Sequence, residues 1–184
     1  MLLINLFGGP GCGKSTAASY IFAKLKMLGI NAELASEFAK DKTWEGNMKA
    51  ITCQPYIIGN QIYRIDRCKD DVDVIITDSP IILAIFYNQD KCIEPYFSDM
   101  LVHKHHEYNN LNFMLERTKS YNPKGRNQTE DEAKCIDMAI KSLLNDRNID
   151  FETFEGNLNG YEKIVGRILA YLDKNSWFFS KDVL

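Results

Sequence analysis

Apolar and polar positions follow two rhythms along this chain. Short apolar-rich runs of strand length, at about 1–7, 30–35, 72–77, 111–115 and 149–154, alternate with stretches in which apolar residues recur every three or four positions. Ala17, Ala18, Ile21, Phe22, Leu25 and Leu28 predict a helix over 14–28 that Gly29 stops. Ile58, Ile62 and Ile65 predict a second from Pro55 to Arg67, with Gln61 and Arg64 together on another face. Further helices are expected near 80–87 and 95–106, and the mixed stretch 36–50 reads as a short helix plus loop. Thr129 with Glu132 three residues on is a capping box, starting a helix that runs to about Asn145, and a last helix covers about 160–173. The alternation of strand and helix throughout predicts an α/β fold with a mainly parallel sheet, in which the run over 72–77 is a buried strand. No repeat, low-complexity tract or linker interrupts the pattern, so residues 1–184 are expected to form a single domain.

The first strand runs directly into Gly8-Gly9-Pro10-Gly11-Cys12-Gly13-Lys14-Ser15, followed by Thr16. This is the phosphate-binding spacing G-x-x-x-x-G-K-S, set between a strand and a helix as it must be. Glycines let the backbone close on a polyphosphate with its N–H groups turned inward, and the helix N-terminus adds its dipole. Lys14 is expected to reach the β- and γ-phosphates and the Ser15 hydroxyl to ligate Mg²⁺. The expected ligand is therefore ATP with Mg²⁺.

Composition narrows the partners. A net charge of −3, with 45 % hydrophobic and 26 % charged residues, fits an ordinary globular chain and argues against a broad nucleic-acid surface. Cys12, Cys53, Cys68, Cys92 and Cys135 lack any C-x-x-C pair, which suggests free thiols in a reducing, cytoplasmic setting. Cys12, at a helix N-terminus, is expected to be sensitive to thiol reagents. The N-terminal apolar run is too short for a signal peptide and no stretch is long enough to span a membrane. His103, His105 and His106 have no evident third ligand and read as a solvated helix face. The aromatic tail with Trp177, Phe178 and Phe179 is expected to pack on the domain or on a second copy, as a homodimer contact.

Other residues fall where chemistry would need them. Asp78 stands where the third strand ends; it is a candidate to anchor Mg²⁺ or to accept the proton of an attacking hydroxyl, or else a helix cap. Glu37, after the second strand, is a candidate to orient the acceptor or to act as base in place of Asp78. Gln61 offers a donor and acceptor pair, and Arg64 a fork for phosphate or carboxylate. The polar loop after the fourth strand carries Arg117, Lys119, Lys124 and Arg126, shaped by Pro123 and Gly125.

With five strands and the loop after the first, the chain resembles the small P-loop kinases from the loop through the fifth strand. Glu37-Phe38-Ala39-Lys40 is similar to the nicotinamide-riboside-kinase-like branch. Asn60-Gln61-x-x-Arg64, Thr77-Asp78-Ser79-Pro80 and Asn122-Pro123-Lys124-Gly125-Arg126 resemble small phage-encoded kinases. The resemblance implies a three-layer fold with strand order 2-3-1-4-5 and acceptor contacts from about 36–70 through Glu37, Gln61 and Arg64. It also implies a basic lid over about 117–129, with Arg126 on the transition state and Arg117 over the adenine or α-phosphate side. The expected activity is phosphoryl transfer to a nucleoside- or nucleotide-type acceptor. A phage DNA-modifying kinase acting on hydroxymethylpyrimidine bases and a regulatory P-loop ATPase are the alternatives.

Overall fold

The computed structural model describes residues 1–118 and 129–175. β1 (Leu2–Phe7) passes through the glycine loop into α1 (Lys14–Met27), and β2 (Ala32–Ala35) is followed by α2 (Phe38–Trp44), α3 (Met48–Thr52) and α4 (Gln54–Asp66). β3 (Val74–Thr77) leads to α5 (Leu83–Tyr87) and α6 (Tyr96–His106). The order closes with β4 (Asn109–Glu116), α7 (Glu130–Asp146), β5 (Glu152–Glu155) and α8 (Leu158–Lys174). All strand pairs are parallel in the order β2-β3-β1-β4-β5, the arrangement the resemblance implies.

The pleat divides the apolar strands between two layers. Leu2, Ile4 and Leu6 of β1 pack with Ala17, Ile21 and Leu25 of α1 and Ile164, Val165 and Ile168 of α8. On the other face Leu3 meets Ile58 and Ile65 of α4, Ala84 of α5 and Leu101 of α6, while Phe7 meets Ile140 and Leu144 of α7. Each fully buried aliphatic side chain contributes roughly 1.5–3 kcal/mol, and β1 supplies them to both faces, which is why its sequence shows no alternation. The capping box forms as expected: Glu132 N–H donates to Thr129 Oγ1 at 3.3 Å and Thr129 N–H to Glu132 Oε2 at 2.6 Å.

Three elements differ from the sequence expectation. The stretch 36–50 holds two short helices, α2 and α3. β5 begins at Glu152 because Ile149 turns into the core beside Leu144. β4 begins two residues before Leu111, although asparagine is a poor strand former. A side-chain ladder supports that start. Asn5, 1 % exposed, donates from Nδ2 to Asn110 Oδ1 at 2.9 Å and to Asn112 Oδ1 at 3.0 Å. Asn110 then donates to the carbonyls of His105 and Tyr108, and Asn112 to that of Asp150.

The histidines do not form a solvated face throughout. His103 is exposed, with Nε2 at 3.7 Å from Glu107, but His105 is 2 % exposed and its Nδ1 has no hydrogen-bond partner among the described residues. Burial, followed by the neighbouring His106, lowers its pKa from 6.5 to about 4. The folded protein therefore refuses a proton that the unfolded chain takes up as pH falls below the ordinary histidine range, and stability drops with falling pH. Between about pH 7 and 4.5 this group removes roughly 2–3 kcal/mol. In urea titrations at the two pH values, His105→Gln should lose that much less stability than the parent; equal losses would show that His105 is not the sensor. Among the described residues no helix is long and apolar enough to cross a membrane.

Candidate active site

All five strands run parallel, so their carboxyl ends lie along one edge of the sheet, where open α/β sheets place their ligands. The loop after β1 turns sharply. Gly13, at φ 98°, caps α1 in the left-handed region, and a Cβ there would lie 2.5 Å from the Tyr161 hydroxyl. That hydroxyl donates to the carbonyl of Gly156 at 3.1 Å and reaches that of Gly13 at 3.4 Å, so the β5–α8 turn props the second half of the loop. The N–H groups of Gly11, Gly13, Lys14, Ser15 and Thr16 have no acceptor among the described residues. Lys14 Nζ folds back onto the carbonyls of Gly8 at 2.7 Å and Gly9 at 3.2 Å. Ser15 and Thr16 are exposed. Cys12 points instead into the core beneath the loop and is 2 % exposed, which corrects the expectation of a reagent-accessible thiol.

Two carboxylates flank Lys14. Glu37 caps α2 and Asp78 follows β3; the register of β2 with β3, Ala35 beside Thr77, brings the two strand ends together. The Glu37 N–H donates to Asp78 Oδ1 at 3.1 Å. Asp78 is 7 % exposed and burial raises its pKa, opposed by Lys14 and by backbone N–H donors. Burial also raises the pKa of the Glu37 carboxyl; Lys14 opposes this and the nearby Asp78 adds to it. Carboxylates held above their ordinary range beside a lysine are suited to taking a proton.

Gln61 and Arg64 lie behind these groups. Gln61 is 1 % exposed; its Oε1 accepts the Phe38 N–H at 2.9 Å and its Nε2 reaches Ala35 O at 3.4 Å and Thr77 Oγ1 at 3.3 Å. Arg64 donates to the Ser36 carbonyl and hydroxyl, both at 3.0 Å, pairs with Asp41, and lies 5.1 Å above the Phe38 ring. Both side chains thus bind the β2–α2 turn that carries Glu37, in place of the ligand-facing pose expected of them. Gln61→Ala strands the Phe38 N–H, and urea unfolding should show a loss of about 2 kcal/mol with ATP affinity retained. Unchanged stability would return Gln61 to a ligand-facing role.

Arg117 also departs from expectation. It is engaged with the outer side of the loop: Nη1 donates to Pro10 O at 2.8 Å, and Nη2 pairs with Asp137 Oδ2 at 2.9 Å. Asp137 of α7 went unnoticed in the sequence, yet its Oδ1 accepts the Gly9 N–H at 2.5 Å. Tyr87, at the end of α5, is a second unnoticed neighbour: the residue is 41 % exposed, but its hydroxyl is near enough to Lys14 and Glu37 to feel both, and desolvation there raises its pKa. Arg126 with Lys119 and Lys124, and Trp177, Phe178 and Phe179, lie outside the described residues.

These groups fit a magnesium nucleotide. Five N–H donors at a loop and helix start, with Lys14 beside them, suit a polyphosphate. The Ser15 hydroxyl and the Asp78 carboxylate are hard oxygen ligands of the kind Mg²⁺ takes. Among the described residues there is no group of three or more His, Cys, Asp and Glu side chains poised for any other metal.

A family model described as an AAA domain matches residues 3–159, from β1 into α8. No curated protein matches the chain.

Proposed function

Since the chain belongs to the AAA domain family, a P-loop NTPase-type class of nucleotide-binding domains, we propose that it is an ATP- and Mg²⁺-dependent kinase. It transfers the γ-phosphoryl group to a hydroxyl or phosphate of a nucleoside- or nucleotide-type acceptor. The observation that carries this reading is the Asp78–Glu37 pair beside Lys14, a buried and a half-buried carboxylate at adjoining strand ends. Such a pair can take the proton of an incoming hydroxyl and hold that acceptor in line with the γ-phosphate.

Lys14 exchanges the carbonyls of Gly8 and Gly9 for phosphate oxygens and follows charge onto the leaving side. The unpartnered N–H groups of the loop hold the remaining oxygens. Asp78 or Glu37 takes the acceptor proton as the acceptor oxygen bonds to the γ-phosphorus and the β–γ bridge breaks to release ADP. Ser15, with Asp78, would hold Mg²⁺, which when bound would neutralise phosphate charge. Arg126 is the candidate for the cation that covers the transferring group.

The test is transfer from γ-labelled ATP across a panel of nucleosides, nucleoside monophosphates, nicotinamide riboside, and DNA with normal or hydroxymethylated pyrimidines. Label on one small acceptor supports the proposal and names the substrate. Label on DNA alone moves the activity to base modification or end phosphorylation. Phosphate release with no labelled acceptor overturns the kinase in favour of a regulatory ATPase.

A further inference from the structure

The first half of the phosphate loop, Gly8-Gly9-Pro10, has almost no side chain by which to be held. A loop that presents fixed donors to a polyphosphate must be ordered before the ligand arrives, or binding loses the free energy of ordering it. The second half rests on Tyr161 and the β5–α8 turn. The first half is held from the opposite side, by α7 and the end of β4.

The peptide on either side of Gly9 is gripped from two directions. Its N–H donates to Asp137 Oδ1 at 2.5 Å, and its carbonyl accepts from Lys14 Nζ at 3.2 Å. The next carbonyl, that of Pro10, accepts from Arg117 at 2.8 Å, and Arg117 closes the circuit on Asp137 Oδ2 at 2.9 Å. The approach is close at position 9, which the phosphate-loop spacing leaves free, so a side chain there would push on the Asp137 carboxylate and the backbone of α7. A Cβ there would lie 2.8 Å from Asp137 Oδ1 and 3.0 Å from the Ala133 carbonyl. Arg117 is 9 % and Asp137 17 % exposed at the side chain, so the pair is sheltered.

A carboxylate beside a loop that receives a polyanion would normally repel the ligand; paired with Arg117 it keeps its acceptor oxygen without exerting its full charge. We propose that Asp137 is a positioning residue for nucleotide binding: it tethers Gly9 to α7, and Arg117 neutralises it so that the tether does not oppose the phosphates. When Lys14 leaves the Gly8 and Gly9 carbonyls for a phosphate, the Asp137 contact still holds the Gly9 N–H, with a longer contact from the Cys12 N–H to the Gly9 carbonyl at 3.4 Å beside it. The inference rests on the nucleotide-binding reading above.

The two roles separate by substitution. Asp137→Asn keeps an oxygen for the Gly9 N–H and has the same shape. Asp137→Ala removes the tether, and Arg117→Ala leaves the carboxylate unneutralised. With a fluorescent ATP analogue and Mg²⁺, Asp137→Ala and Arg117→Ala should each weaken binding about tenfold, with Asp137→Asn within about threefold of the parent. The double variant Arg117→Ala/Asp137→Asn should regain most of the affinity that Arg117→Ala loses. A purely structural pair would not show that suppression, and neither would an Arg117 that contacts the nucleotide directly. Additive losses, or unchanged affinity in Asp137→Ala, overturn the inference while leaving the parent a nucleotide binder. A parent protein that fails to bind the analogue overturns the nucleotide-binding reading itself.

Discussion

Lys14→Ala should give a folded protein whose turnover falls by about 10³-fold or more. The fold survives because, among the described residues, the Lys14 ammonium bonds only the carbonyls of Gly8 and Gly9, both within its own loop. The core beneath is assembled by Ala17, Ala18, Ile21 and Leu25. Unfolding free energy should therefore change by no more than about 1 kcal/mol. Activity depends on the same group far more, because it stands among donors that are otherwise neutral and beside two carboxylates that would repel a polyphosphate without it. An ADP-release assay alongside a thermal melt reads both quantities. Retained turnover would remove the phosphate loop from the mechanism.

The second large effect belongs to Asp78→Asn, expected to lower kcat by about 10²–10⁴-fold. The amide keeps an oxygen for the Glu37 N–H, so the geometry of the two strand ends is preserved. Burial raises the Asp78 pKa, so the charged form is disfavoured in the folded state; at pH values above that raised pKa the ionised group lowers stability, and neutralising it removes the penalty. The variant should melt slightly higher than the parent while losing activity, the signature of a group held for chemistry at the expense of stability. Wild-type kinetics would leave Asp78 a capping role. Glu37→Gln, measured in parallel, tells which carboxylate is the base, since the larger loss in kcat falls on that residue.

The alternation of strands and helices and the phosphate loop could be anticipated because each rests on a local pattern, short apolar-rich runs between helical spacings and glycines at fixed offsets before Lys14, whereas the strand order followed from the resemblance to small P-loop kinases. Asp78 and Glu37 were legible as strand-end carboxylates, and parallel pairing then made them neighbours. Helix faces were harder. In α4 the apolar spacing of Ile58, Ile62 and Ile65 suggested one buried stripe, but the buried stripe is Ile57, Ile58, Gln61 and Ile65. Two candidate faces about one residue apart differ little in hydrophobicity, and the three hydrogen bonds available to Gln61 decided between them. Asp137 left a signal that went unused: it interrupts the apolar face of α7 four residues after Ala133 and three before Ile140. A charge in such a stripe needs a partner, and here the partners are Arg117 and the loop backbone. Arg117 was expected over the adenine or α-phosphate side and instead holds Pro10 and Asp137, because nothing local in the sequence tells which side a strand-end arginine takes.

The asparagine ladder has a consequence for how the sheet is assembled. Asn5 stands beside Asn112 only when β1 and β4 are aligned as observed, with Leu2 beside Asn109. Sliding β1 by one residue would turn Asn5 toward the layer of Ile21 and Ile164, where its amide would be stranded among hydrocarbon at roughly 2–7 kcal/mol. The neighbouring leucines and isoleucines tolerate such a slip far better, since either layer is apolar. Asn5 therefore acts as an indexing mark, penalising misaligned pairings that an all-aliphatic central strand would accept.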